Sequence, residues 1–123
     1  MIIEDRICFA TTAMLRPELL AKTYESFRQH LQGIDLQKTQ LFINIDPAPA
    51  AGSATAVLDV ANQFFGKVTP RLSPAPSFPA AVKWCWQQAD TDYLFHLEDD
   101  WQLLRPFNVS RAVEVMDAKP NLI

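Results

Sequence analysis

The amino-acid sequence predicts an α/β protein in which a mostly parallel sheet carries helices on both faces. Short apolar runs typical of strands alternate along the chain with segments whose apolar residues recur at helical spacing. Prolines and small polar residues separate one run from the next. Four strands joined by helices predict a doubly wound, Rossmann-like sheet, in the strand order 3-2-1-4 if the third strand lies at an edge.

The first strand is predicted over residues 6–12, the apolar run RICFATT. Pro17 then begins a segment with apolar residues at every third or fourth position, which predicts a helix with proline in its first turn. Its buried face is expected to consist of Leu20, Tyr24, Phe27 and Leu31.

The second strand is predicted over residues 40–46, QLFINID, and a loop with two prolines follows it. We expect Ser53 to cap a helix over residues 54–65, and Gly66 to end that helix in the left-handed conformation. The buried face of this helix is expected to consist of Val57, Ala61, Phe64 and Phe65.

The third strand, residues 67–72, contains Pro70, which cannot donate a hydrogen bond to a neighbouring strand and therefore places this strand at a sheet edge. A third helix is predicted from an apolar stripe that consists of Phe78, Val82, Cys85 and Ala89. The fourth strand covers residues 92–97 and ends on an acidic triplet, residues 98–100. A last helix, at about residues 108–118, is expected to turn inward Val109, Ala112, Val113 and Met116.

The length of 123 residues predicts one domain over residues 1–123, and the apolar residues after the last helix suggest a domain that is incomplete at its C-terminus. A net charge of -3 argues against nucleic acid as a partner. No apolar run is long enough to predict a membrane span, and no secretion signal is evident, so a cytoplasmic location is expected. Cys8 and Cys85 are expected to be buried free thiols.

Ligands of doubly wound sheets bind beyond the carboxyl ends of the strands where the strand order reverses, here between the first and fourth strands. Three successive carboxylates repel one another, and a hard divalent cation would compensate that repulsion. We expect Asp100 to bind Mn²⁺ or Mg²⁺, with Asp99 or Glu98 assisting through water or a ribose hydroxyl. The alternative is that the triplet is only a solvated turn.

Further polar residues are predicted near the same edge. Thr11 and Thr12 either contact a nucleobase or simply end their strand, and Asp46 either accepts hydrogen bonds from uracil or ribose or begins an Asp-Pro turn. Arg16 and Lys83 are the basic residues best placed for phosphate, although either fits a surface charge equally well. His96 is expected to face the same side of the strand as Leu94 and Glu98, as a hydrogen-bonded histidine and not a ligand.

Two stretches of this sequence resemble the GT-A glycosyltransferases. Residues 11–20, TTAMLRPELL, with YESF behind them at residues 24–27, resemble the first strand and helix of that family. Residues 97–101, LEDDW, are similar to the family's DXD motif in the EDD form found in some N-acetylglucosaminyltransferases and in family 2 relatives. The resemblance covers essentially the whole chain.

The resemblance implies transfer of a sugar from a nucleoside diphosphate donor, foremost a UDP-sugar, to a glycan or another acceptor. Thr11, Thr12 and Asp46 would hold the nucleoside. Asp99 would touch the ribose or the metal, and Asp100 would bind the Mn²⁺ or Mg²⁺ that bridges the diphosphate. A uridine or guanosine diphosphate is therefore expected to bind in preference to an adenine nucleotide.

The chain departs from the family because no acceptor half and no catalytic base are recognisable. Glu114 and Asp117 lie on the last predicted helix, which leads away from the site, so no catalytic residue is nominated. The sequence fits part of a longer enzyme or a small protein that keeps only the nucleotide-binding half. The alternative function is a non-catalytic module that binds nucleotide-sugar or associates with another chain, including a second copy of itself.

Overall fold

The protein, for which we describe a computed structural model, is an α/β fold, and residues 2–119 and 121 are described. The apolar residues after the last helix, from which an incomplete domain was expected, lie outside this range. In chain order the elements are a 3-10 helix (Ile3–Asp5), β1 (Ile7–Ala13), α1 (Pro17–His30), β2 (Leu31–Gln32), a 3-10 helix (Leu36–Lys38), β3 (Gln40–Ile45), α2 (Ala54–Phe64), β4 (Lys67–Leu72), α3 (Phe78–Gln88), β5 (Tyr93–Glu98), β6 (Phe107–Asn108) and α4 (Val109–Ala118).

The four long strands form one parallel sheet in the order β4-β3-β1-β5. This is the predicted order 3-2-1-4, with labels that differ because the short strand β2 intervenes in the chain. Pro70 lies in β4 at the sheet edge, as predicted, where its missing N–H costs no ladder hydrogen bond. The strands β2 and β6, which the sequence did not predict, pair in a separate two-stranded parallel sheet.

Helices cover both faces of the sheet, as predicted. The ring of Phe9 in β1 packs 5.4 Å from that of Phe65, which follows α2, and α2 packs beside α1. Successive strand residues point to opposite faces, so the next residue, Ala10, faces the other side. Ala10 is in register with Phe42, whose ring meets Trp84 of α3 at 6.5 Å. The crossover through α3 therefore runs on the opposite face from α1 and α2, and the strand order reverses between β1 and β5.

The apolar face of α1 is buried as predicted, and it also carries a polar link to the sheet. The Tyr24 hydroxyl donates a 2.8 Å hydrogen bond to Thr11 Oγ1 in β1, and both residues are fully buried. Burial raises the pKa of Tyr24 well above its usual range, so the phenol stays protonated. The bond fixes the position of α1 along β1.

The prediction for Gly66 was wrong. Among the described glycines only Gly33 has a positive φ, and α2 ends with Phe65 in an extended conformation. A Cβ on Gly66 would lie 1.9 Å from the carbonyl oxygen of Gln37. Gly66 is therefore required by a close backbone approach, which periodicity along one helix does not reveal. The predicted cap at the other end is confirmed, since Ser53 Oγ accepts from the amide of Ala56 at 3.2 Å.

The predicted stripe of α3 is wrong at its first residue. Ala81 and Cys85 form the buried face, whereas Phe78 is 53% exposed. Phe78 occupies the first helical position and projects past the carboxyl edge of the sheet instead of over it. Both cysteines are buried free thiols, as predicted, and burial raises the pKa of Cys85 to about 11.

The last helix, α4, is tied to the amino-terminal end of the sheet. Arg6 donates to both carboxylate oxygens of Asp117, at 2.6 and 2.8 Å, and to Asp92 at 2.9 Å. Arg6, aided by the Tyr93 hydroxyl, lowers the pKa of Asp117 to about 2. Asp117 therefore lies at the opposite end of β5 from the acidic triplet, in agreement with its exclusion as a catalytic base.

An exposed apolar groove of about 400 Å³ runs beside α4 along the edge strand β5. Its walls include Phe95 of β5, Phe107 of β6, Met116 of α4 and, at the far side, Trp86 of α3. None of the described helices has the length and apolar character needed to cross a membrane.

We predict that Gly66→Ala lowers the free energy of unfolding by roughly 2 kcal/mol, because the added methyl group collides with backbone at residue 37. Urea denaturation measures this change, and Lys67→Ala, at an exposed neighbour, serves as the control. Gly66→Asn should be equally destabilising, whereas a left-handed glycine would tolerate asparagine. Unchanged stability of Gly66→Ala would contradict the close approach.

Candidate functional site

A cleft of about 120 Å³ opens where β1, β3 and β5 end, at the reversal of the strand order. Parallel strands bring their carboxyl ends to one edge, so residues far apart in sequence meet there. The cleft is lined by Thr12, Ala13, Met14, Arg16, Asp46, Phe78, Glu98, Asp99 and Asp100.

Most of the predicted site residues therefore come together, and two do not. The side chain of Thr11 faces α1, where its hydroxyl accepts the hydrogen bond from Tyr24. Lys83 lies in the middle of α3, is exposed, and does not line the cleft. Of the predicted residues, Thr12, Arg16, Asp46 and the acidic triplet therefore line the cleft, whereas Thr11 and Lys83 do not.

Asp99 is the buried member of the acidic triplet. Its Oδ2 accepts a 2.9 Å hydrogen bond from the amide of Met14, and its Oδ1 accepts from Arg16 Nη2 at 2.7 Å. Its backbone carbonyl accepts from the hydroxyl of Thr23 at 2.6 Å. Both carboxylate oxygens thus join the end of β5 to the loop after β1. Asp99 cannot turn towards a metal or ribose without releasing Arg16.

Asp100 is exposed at the rim of the cleft, and no hydrogen bond or ion pair engages its carboxylate among the described residues. It also lines a second, larger cleft on the side of α1. Of the three acids in the triplet, Asp100 is the one whose oxygens are directly available to a ligand.

Glu98 lies beside a histidine on the same face of β5, as predicted from strand alternation. His96 Nε2 lies 3.5 Å from Glu98 Oε2, and His96 Nδ1 accepts a 3.2 Å hydrogen bond from Trp86 Nε1. An indole N–H can only donate, so Nδ1 must keep its lone pair and the ring proton is on Nε2, facing the carboxylate. The ring nitrogen Nε2 of His96 thus faces Glu98 at the wall of the cleft.

Asp46 ends β3 and holds the beginning of α3. Its Oδ1 accepts from Asn44 Nδ2 at 3.1 Å, and its Oδ2 accepts from the amide of Ser77 at 3.3 Å. Its backbone carbonyl also accepts from the amide of Ala48 at 2.9 Å, which is the turn that the following proline suggested. Each carboxylate oxygen has two acceptor sites, so Asp46 keeps capacity for a further donor in the cleft.

Thr12 supplies an unsatisfied polar group. The residue is 7% exposed, and its hydroxyl oxygen is the buried side-chain polar atom without a hydrogen-bond partner in the described part of the chain. Leaving a buried hydroxyl unpaired costs about 1–3 kcal/mol. Such a cost at the wall of a cleft is expected where a ligand completes the hydrogen bonding.

Sequence reasoning missed Phe78, whose exposed ring lines the cleft opposite the acidic triplet. A usable signal was present, because Phe78 directly follows Ser77, which caps α3 through the amide of Ala80 at 3.3 Å. A helix that follows the edge strand and returns across the sheet begins at the carboxyl edge. Its first residue is therefore near the site and not over the core.

The described residues can bind a divalent cation only if a bound ligand supplies further oxygen atoms to it. No three His, Cys, Asp or Glu side chains within residues 2–119 and 121 converge to hold a metal ion by themselves. Mg²⁺ in proteins is commonly bound through one or two carboxylates, with substrate phosphates and water completing its shell. Asp100, with Glu98 nearby in the same cleft, satisfies that smaller requirement.

We predict that substitution of two neighbouring acids has unequal effects on stability. In Asp99→Asn the new amide hydrogens face donors from Met14 and Arg16, so the free energy of unfolding should fall by about 2 kcal/mol. Asp100→Asn, at an exposed position, should change it by less than about 0.5 kcal/mol. Urea denaturation of the two variants checks the difference, and equal effects would contradict the assignment of separate roles.

Comparisons of this chain with models of protein families, with curated proteins and with solved structures find no match.

Proposed function

We propose that the cleft binds the nucleoside diphosphate of a sugar donor, and that the chain acts in transfer of that sugar as a metal-dependent glycosyltransferase of the GT-A type. The observation that carries the proposal is the meeting, at the reversal of the strand order, of an exposed aromatic ring, an unsatisfied hydroxyl and an available carboxylate. These belong to Phe78, Thr12 and Asp100. The resemblance of residues 11–20 and 97–101 to GT-A enzymes agrees with this assignment.

The side of the cleft formed by β3 and α3 suits a nucleoside. The ring of Phe78 offers a stacking surface, and any nucleobase has a π-face that can use it. Asp46 keeps acceptor capacity for an imide N–H of uracil or guanine, or for a ribose hydroxyl. Adenine has no imide hydrogen, which favours uridine or guanosine diphosphate over ADP.

The side formed by β5 suits a diphosphate only together with a cation. Four carboxylates line the cleft against one guanidinium, that of Arg16, which already neutralises Asp99. A diphosphate brought to this surface alone would be repelled. Mn²⁺ or Mg²⁺ held by Asp100 and the phosphate oxygens would neutralise the leaving diphosphate. Glu98, which lines the same cleft, lies where it can accept from a metal-bound water or a ribose hydroxyl.

A second candidate function is association with another chain, without catalysis. The observation that favours it is the exposed apolar groove between β5 and α4, because soluble monomers seldom expose large contiguous apolar patches. The two candidates differ in one measurable property, since association through the groove requires no nucleotide. Failure of UDP to bind in the presence of Mn²⁺ favours the second.

We predict that Asp100→Asn weakens UDP binding in Mn²⁺ by at least about tenfold, or roughly 1.4 kcal/mol, because one charged metal ligand is lost. Isothermal titration of the wild type and the variant, each with Mn²⁺ and with EDTA, measures the effect. EDTA should abolish binding by the wild type, and ADP should bind more weakly than UDP. Equal binding of UDP in EDTA would show that the acidic triplet is only a solvated turn.

We predict that Thr12→Val stabilises the unliganded protein by about 1 kcal/mol and weakens UDP binding. The substitution removes an unsatisfied buried hydroxyl at nearly constant volume, so its desolvation cost disappears. Thr11→Val is the matched control. It leaves the Tyr24 hydroxyl without its acceptor, so it should destabilise the fold and leave UDP affinity unchanged.

Thermal unfolding and UDP titration of both threonine variants provide the measurements. A Thr12→Val variant that is less stable than the wild type would show that the hydroxyl has a partner in solution. A variant with unchanged UDP affinity would remove Thr12 from the nucleotide site.

A further inference from the structure

A second cleft, of about 520 Å³, lies between α1 and the segment that follows the acidic triplet. It meets the first cleft at Asp100, which lines both. Side chains from the outer face of α1 form one wall, and the opposite wall is the turn after β5. The charged, amide and aromatic members of the lining are Lys22, Glu25, Gln29, Asp100, Trp101 and Gln102.

The turn that carries Trp101 is fastened to α1 on both sides of the indole. Thr23 donates to the backbone carbonyl of Asp99 at 2.6 Å, and the amide of Leu103 donates to Ser26 Oγ at 3.0 Å. The indole meets the His96 ring edge to face, with centroids 5.9 Å apart, yet remains 43% exposed. A large aromatic ring is thus held in place at the rim of this cleft.

The polar groups of the cleft nearly balance in charge. Glu25 is paired with Arg28, which lowers the pKa of Glu25, and it also accepts from Gln29. This leaves the ammonium of Lys22 against the carboxylate of Asp100. Such a lining has no excess of positive charge for a phosphate, and its exposed surface is mainly apolar with polar groups at its edge. It presents donors and acceptors around one flat ring.

We propose that this second cleft binds a pyranose ring of a saccharide, stacked on the indole of Trp101. A pyranose has a face of C–H groups that is apolar, and its hydroxyls lie around the edge of the ring. The indole can pack against the C–H face. The carboxylate of Asp100, the amide of Gln102 and the ammonium of Lys22 can form hydrogen bonds with the hydroxyls. Preformed sites commonly combine one apolar surface with a few convergent polar groups in this way.

The position of the cleft identifies the saccharide as the acceptor, and this second step rests on the proposed function. Asp100 is common to both clefts, so a donor diphosphate held near Asp100 and a saccharide on Trp101 lie side by side. The oxygen of an acceptor hydroxyl could then bond to the anomeric carbon of the donor as the bond from that carbon to the diphosphate oxygen breaks. The diphosphate leaves with the electron pair, and the hydroxyl proton passes to water. Saccharide binding itself does not depend on nucleotide binding.

The experiment follows the indole N–H signals of the protein in ¹⁵N-correlated NMR spectra during titration with saccharides. The chain has three tryptophans, and Trp101→Phe identifies the signal of Trp101 by its disappearance. The probes are the methyl glycosides of glucose, galactose, mannose and N-acetylglucosamine, with the corresponding β-linked disaccharides, at millimolar concentration. Each titration is run alone and with UDP and Mn²⁺.

Trp86→Ala is the matched control for Trp101→Ala. Trp86 is 56% exposed and also meets the His96 ring at 5.9 Å, but it lines the apolar groove and not the second cleft. Both variants therefore lose one indole and its contact with His96, and Trp86→Ala also loses the hydrogen bond to His96 Nδ1. Retention of the remaining backbone signals shows that each variant is folded.

At least one saccharide should shift the Trp101 signal, with an affinity that falls about tenfold or more in Trp101→Ala, as loss of an aromatic platform implies. The affinity should stay within about twofold of the wild type in Trp86→Ala. No shift of the Trp101 signal with any probe, or equal affinity in Trp101→Ala and the wild type, overturns the inference. Saccharide binding without UDP binding upholds the cleft and refutes the proposed function, whereas UDP binding alone does the reverse.

Discussion

The carboxylate of Asp99 links two chain segments that lie more than 80 residues apart in sequence and side by side in the sheet. It accepts from the Met14 amide at the end of β1 and from Arg16 at the start of α1, while its backbone carbonyl accepts from Thr23. A buried carboxylate persists only when its oxygens are paired in this way. The position of the reversal between β1 and β5, the direction of α1 and the shape of both clefts all depend on this set of hydrogen bonds.

The three acids of the triplet differ because the chain leaves the sheet between them. Glu98 still belongs to β5 and faces α3, where it lies beside His96. Asp99 falls in the turn and points back to α1. Asp100 follows at the rim and is exposed to both clefts. Three consecutive acids thus have three different roles. Glu98 lines the cleft, Asp99 joins β5 to the segment after β1, and Asp100 is available to bind a ligand.

The energetically unfavourable features of the structure, which are like-charge repulsion and an unpaired buried hydroxyl, lie around the first cleft. Four carboxylates face one guanidinium there, and the hydroxyl of Thr12 is buried without a partner among the described residues. The core nearby shows no such conflict, since Thr11, the preceding residue, is fully bonded to Tyr24. Repelling charges and unpaired polar groups in an otherwise well-packed fold are expected at functional sites. The distribution supports a cationic or hydrogen-bond-donating ligand at this edge.

The sequence by itself determined the four strands, their order and the meeting of Thr12, Arg16, Asp46 and the triplet, because hydrophobic period and the rules of parallel sheets are local or topological properties. Only the tertiary structure decided the rest. Gly66 is required by a backbone 29 residues away, Phe78 is turned out by its place beyond the sheet edge, and Thr11 is turned in towards Tyr24. Each of these depends on which side chain or backbone group a neighbouring element places beside the residue. Elements that are neighbours in the fold lie far apart in the sequence, so no local spacing pattern reveals these contacts.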